Sequence, residues 1–149
     1  MSALRQRIIE IIRQEGPISV ERYMALALGD PQHGYYMTRD PLGASGDFTT
    51  SPEISQMFGE LIGLWCADLW LRAGQASISL VELGPGRGTL MSDVLRATKA
   101  VTGFHDALQV TLVEMSPVLS AIQKQTLANA HPRIEWETTI AALPEKPTI

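Results

Sequence analysis

Cysteine is almost absent from this 149-residue chain: Cys66 stands alone, so no internal disulfide can form. That usage fits a reducing compartment, and the cytoplasm is the expected location. Histidine is also scarce. His33, His105 and His131 are scattered and show no metal-ligand spacing, so no metal site is expected. No run reaches 18 apolar residues, so no segment reads as a membrane span. Met1 to Glu15 interleaves Arg5, Arg7, Glu10 and Arg13 with aliphatics, which suits an amphipathic helix and not a signal peptide. Positive charge is not in excess. Twelve Lys and Arg against sixteen Asp and Glu give a net charge of −4, which argues against nucleic acid as a partner. Repeats and low-complexity tracts are missing. With 19% charged and 45% apolar residues, disorder is disfavoured and the material for one core is present.

What is there begins with helices. Leu4, Ile8, Ile11 and Ile12 recur at helical spacing, and Gly16-Pro17 stops that helix. Ser19 can cap a second short helix through Val20, Tyr23, Met24 and Ala27, and the pair is expected to pack against something larger. From Asp30 to Thr50, glycine and proline punctuate the chain. Tyr35-Tyr36-Met37 and Phe48-Thr49-Thr50 read as two strands of a loose hairpin around Asp40 to Gly46. Ser51-Pro52-Glu53 is a helix start, with Ser51 as the cap. One long helix is expected from there to just before Gly74. It is apolar around most of its circumference, so it should be sandwiched between layers, with Cys66 as inert core.

After Gly74 strands and helices alternate. Ile78 to Leu83 reads as a buried strand, Thr89 to Lys99 as a helix and Leu108 to Val113 as a second strand. Ser116-Pro117 starts another helix, with Val118, Leu119, Ile122 and Leu127 as its apolar positions. Ile134-Glu135-Trp136 is a short third strand, Thr139 to Leu143 an irregular turn, and Pro147-Thr148-Ile149 the first residues of a fourth strand. This pattern predicts an α/β fold with a parallel sheet and right-handed crossovers. The boundary between the helical part, 1–75, and the sheet part, 76–149, falls after the long helix.

The segment most informative about chemistry is Val81-Glu82-Leu83-Gly84-Pro85-Gly86-Arg87-Gly88-Thr89-Leu90. A glycine-rich turn between a strand and a helix lets a ligand approach the backbone at the carboxyl end of the sheet. The spacing G-x-G-x-G differs from the G-x-G-x-x-G of dinucleotide binders, and no Gly-Lys-Ser/Thr of a P-loop follows. Glu82 beside the turn would repel a pyrophosphate. It suits a ligand with an ammonium group and a nearby sulfonium, and S-adenosylmethionine has both and no phosphate. Glu114, closing the second strand, is placed as the acidic residue that binds ribose hydroxyls. The expected cofactor contacts here are Glu82, Gly84, Pro85, Gly86, Gly88 and Glu114, whereas Arg87 reads as a solvated loop side chain.

These residues resemble the cofactor motif of class I S-adenosylmethionine-dependent methyltransferases. More narrowly, His33-Gly34-Tyr35-Tyr36, then Gly46-Asp47-Phe48-Thr49-Thr50-Ser51-Pro52-Glu53-Ile54-Ser55-Gln56 and Phe58-Gly59-Glu60 are similar to the MidA-like family. That family includes the mitochondrial assembly factor that methylates arginine in a respiratory complex I subunit. The resemblance implies an N-terminal helical cap on the first half of a Rossmann-like methyltransferase sheet. The Gly46 to Gln56 segment would lie over the cofactor site, with Thr50 and Gln56 as cofactor contacts, and a protein would be the methyl acceptor. Family members are longer, so the chain resembles their N-terminal portion, with acceptor-binding acidic residues beyond Ile149. No catalytic residue is assigned, and Tyr35 and Tyr36 stay open between packing and a ligand platform. Two rivals also stay open: an NAD(P)-binding oxidoreductase half-domain, and a non-catalytic fragment that binds a cofactor or a partner. An incompletely covered first strand would favour self-association.

Overall fold

The computed structural model describes residues 2–43 and 46–149. Helices α1 (Ala3–Glu15) and α2 (Val20–Gly29) start at Ser2 and Ser19, whose hydroxyls accept the N–H of Arg5 and Arg22. Gly16 ends α1 at φ 88°. Met1, the expected first residue of that helix, lies outside the described residues. The two helices pack on one another, and neither contains a fully buried residue.

The expected hairpin does not form. Residues 35–37 are turns, and one parallel bridge joins Leu42 to Phe48. Side chains hold this region instead: the Tyr35 and Phe48 rings meet edge to face at 6.2 Å. Ala44 and Ser45, at the tip of the expected hairpin, lie outside the described residues.

The single long helix is also broken in two. Short α3 (Ser51–Ile54) is followed by Ser55 in extended backbone, φ −151°, and then by α4 (Gln56–Arg72). The Ser55 hydroxyl accepts the Met57 N–H, so the serine caps a new helix. The N-cap of α3 is Thr50 rather than Ser51, and it makes no side-chain cap bond.

The sheet holds β1 (Ile78–Leu83), β2 (Leu108–Val113) and β3 (Ile134–Glu137), parallel and in that spatial order. Ile78 pairs with Leu108 and Leu83 with Val113, which aligns the carboxyl ends. Pro147–Ile149 runs along the outer side of β1, where Ile149 N–H donates to the Ser79 carbonyl at 2.9 Å. The expected fourth-strand residues therefore do flank β1. The connecting helices are α5 (Thr89–Thr98), α6 (Phe104–Ala107) and α7 (Pro117–Thr126), with a 3-10 turn at Ile140–Ala142. The short α6 was not legible in sequence. Its Phe104 is fully buried and tilts against Trp70 at 5.3 Å. Such burial contributes about 1.5–3 kcal/mol, enough to fold this connection onto the core.

The core runs from Cys66, Ala67 and Trp70 of α4 through Met91, Val94 and Leu95 of α5 to the strands. It therefore spans position 75 without a break. Small residues at Gly59 and Gly63 bring α4 close to α5. Its opposite side is not sandwiched: Met57, Leu61, Leu64 and Trp65 are exposed. Burial pushes the Cys66 thiol up, away from the reactive thiolate.

Candidate functional site

At the carboxyl ends of β1 and β2 lies a cavity of about 700 Å³. That volume falls in the range of small-molecule sites. Its floor is the turn from Glu82 to Arg87, one wall is Val113 to Ser116, and the cap side is formed by Tyr36, Leu42 and Thr50 to Glu53. The aligned parallel strands deliver the two acidic residues to one rim, and both Glu82 and Glu114 line the cavity.

Gly86 stands at φ 57°, a left-handed conformation that a β-branched residue resists. A side chain there would also project toward Leu42, whose Cδ1 lies 2.8 Å from the position of a Cβ. Gly84 and Pro85 line the cavity with it. Gly88 does not. It is buried at φ 82° as the N-cap of α5, and a Cβ there would meet the Cα of Gln123 at 3.5 Å. Its place is between α5 and α7.

Two contacts draw the cap over the turn. Arg87 Nε pairs with Asp40 Oδ2 at 3.2 Å, and the guanidinium passes over Gly43. Thr89 Oγ1 donates to Glu53 Oε1 at 2.5 Å. Arg87 is thus an anchored residue, which no spacing in the sequence could have indicated. Thr50 lines the cavity as expected, but Gln56 does not: the break at Ser55 leaves it exposed at the start of α4. The adjacent tyrosines divide. Tyr36 lines the cavity, while Tyr35 hydrogen-bonds Asp47 and lies under the Arg39 guanidinium.

The carboxylates differ in surroundings. Glu82 Oε2 is buried with no hydrogen-bond partner among the described residues. Burial pushes the Glu82 carboxyl up to about 7. Glu114 is satisfied in part: Oε1 accepts the Ser116 N–H at 2.7 Å, and Oε2 accepts Gln123 Nε2 at 3.2 Å. A carboxylate has about four acceptor positions, so about two are left for a ligand. The residues present therefore fit a cofactor with one cationic end and a pair of hydroxyls. Gln123 is not among the site residues expected from the sequence. The available signal was its position midway in the buried stripe Leu119, Gln123, Leu127, where a polar residue needs partners.

Comparison with known proteins agrees with this geometry. The profile of an S-adenosyl-L-methionine-dependent methyltransferase family matches residues 61–149. Protein arginine methyltransferase NDUFAF7, mitochondrial, of Danio rerio is 49% identical, with 87% of this chain and 33% of that protein covered. The Homo sapiens protein of the same name is 50% identical, with 78% and 27% covered. A crystal structure from Burkholderia thailandensis, bound to S-adenosyl-homocysteine, superposes with a TM-score of 0.77 at 30% identity, over 97% of this chain and 38% of that one. The chain spans about a third of the length of the curated relatives it matches. These relatives are named mitochondrial, which overturns the expectation of a cytoplasmic location. A single cysteine cannot pair within the chain in any compartment, so it carries no address.

Proposed function

Since the chain belongs to the S-adenosyl-L-methionine-dependent methyltransferase family, we propose that it holds S-adenosylmethionine in this cavity, as the cofactor-binding part of a protein arginine methyltransferase. The observation that carries this proposal is Glu82, whose buried carboxylate oxygen beside the glycine turn has no hydrogen-bond partner among the described residues. When bound, the cofactor supplies a methyl group on a sulfonium for direct displacement. The chain's work is then to hold the reactants in line. Glu82 takes the ammonium group, and Glu114 accepts from the ribose hydroxyls. Gly84, Pro85 and Gly86 let the ligand lie against the backbone, and Thr50 and Glu53 close the cap side. The turn spacing G-x-G-x-G is not the G-x-G-x-x-G that seats a dinucleotide pyrophosphate, so an oxidoreductase is disfavoured. An arginine acceptor keeps its charge in water and needs carboxylates to orient it. We assign that role to no residue of this chain.

Calorimetric titration tests the proposal. S-adenosylhomocysteine should bind, and NAD should not. Binding of NAD with no response to S-adenosylhomocysteine would reverse the reading. Transfer of a labelled methyl group to an arginine-containing protein then separates an enzyme from a fragment that only binds.

A further inference from the structure

Gln123 is fully buried in α7, yet its carboxamide makes three hydrogen bonds to three separate parts of the chain, using both N–H donors. Nε2 donates to the Gly86 carbonyl at 2.8 Å and to Glu114 Oε2 at 3.2 Å. Oε1 accepts the indole N–H of Trp136, on β3, at 3.0 Å. The indole nitrogen can only donate, and the Gly86 carbonyl can only accept, so the amide has one orientation. A flipped amide would set its oxygen against both a carbonyl and a carboxylate. The same side chain therefore ties the glycine turn after β1 to the acidic residue after β2. Its own rotation is fixed by β3.

We propose that Gln123 is a positioning residue of the cofactor site, which sets the Glu114 carboxylate and the Gly86 backbone at one fixed separation before the ligand arrives. The inference rests on the reading that Glu114 accepts from the ribose. Gln123 lines none of the cavity, so it acts through these two groups. Prepositioned acceptors lower the ordering cost of binding, and half-satisfied buried networks lose that benefit.

Four variants of the full chain test it by calorimetry with S-adenosylhomocysteine, alongside thermal melts: Gln123→Met, Gln123→Glu, Glu114→Ala and the double variant of Gln123→Met with Glu114→Ala. Gln123→Met keeps the volume and removes all three bonds, and it should weaken binding tenfold or more at temperatures where the variant is folded. Gln123→Glu places a second carboxylate against Glu114. At pH 8 it should bind more weakly than Gln123→Met. At pH 5.5, where a protonated acid can again donate, its affinity should return to within a few-fold of the parent at the same pH. A purely structural side chain would shift the melting temperature with no such pH-dependent rescue. The effect of Gln123→Met should also shrink in a Glu114→Ala background, since the two act as a unit. A folded Gln123→Met that binds within twofold of the parent overturns the inference alone. Weakening by Gln123→Met with none by Glu114→Ala overturns it too, since the effect then bypasses Glu114. A parent chain that binds no S-adenosylhomocysteine overturns the function reading and this inference together.

Discussion

The carboxylate of Glu53 accepts the hydroxyl of Thr89 at 2.5 Å, across 36 positions of sequence. The bond joins the cap segment to the first residue of the helix behind the glycine turn, and both residues line the cavity. A hydrogen bond to a charged group contributes about 1.5–3 kcal/mol, of which exposure at the rim leaves the lower end. The bond is already made without ligand, so it reaches affinity only by keeping the cap ordered, and Glu53→Ala and Thr89→Val should each weaken S-adenosylhomocysteine binding by up to about tenfold, since about 1.4 kcal/mol is a factor of ten. The double variant should be no worse than either one. Additive losses in calorimetry would show that the two side chains act separately.

Gly86→Val should abolish cofactor binding and leave the chain folded. The clash with Leu42 Cδ1 involves the end of a flexible side chain, so it can be relieved. The φ of 57° cannot be kept by valine at low cost, and the turn must change course. A folded variant, by circular dichroism, with parental affinity would remove the turn from the site.

The raised Glu82 carboxyl makes two pH dependences. Its folded value, about 7, lies above the unfolded value of 4.5. Between those values the native state binds the proton and the unfolded chain has lost it, so stability falls as pH rises from about 4.5 to 7. Each pH unit is worth about 1.4 kcal/mol, so the total loss is at most between about 3 and 4 kcal/mol. Glu82→Gln should be more stable than the parent at pH 8 and should lose this slope, as measured by urea denaturation at pH 5 and pH 8. Ligand affinity should run the opposite way in the parent. An ammonium group favours the ionised carboxylate, so affinity should rise with pH up to about 7 and then level off. An affinity that is flat from pH 5.5 to 8 would take the ammonium role away from Glu82.

Local signals carried much of this in the sequence. The glycine turn, the strand ends and the serine caps depend on residues within a few positions of each other, and Glu82, Gly86 and Glu114 do meet at one cavity. The helix break at Ser55 shows where that legibility stops. Serine is compatible with both a helix interior and a cap, and the apolar residues on either side continue in helical phase. The choice is made by tertiary contacts, among them the pull of Glu53 toward Thr89. The misplacement of Gln56 follows directly from that break. Arg87 with Asp40, and Gln123 with Gly86, are pairs 37 or more positions apart, and neither has a spacing that a single sequence can reveal.

Gly63 offers a test in which two physical effects predict opposite signs. In a helix interior, Gly→Ala stabilises by about 1 kcal/mol through propensity alone. At this position, however, the new Cβ would lie 2.9 Å from the Cα of Val94 and 3.0 Å from its carbonyl oxygen. Both atoms are backbone of α5, so no side-chain rotation can relieve the contact. The helices must separate, which loosens Ala67 and Trp70 against Val94 and Leu95 in the core. Overpacking of this kind costs about 1–3 kcal/mol. Gly63→Ala should therefore be destabilising on balance, by up to about 2 kcal/mol. For a chain of this size, each kcal/mol moves the melting temperature by about 2–4 °C. Leu64→Ala, one residue further on at an exposed position, should change the melting temperature far less. A rise in melting temperature for Gly63→Ala would mean that α4 and α5 are not pressed together at this point.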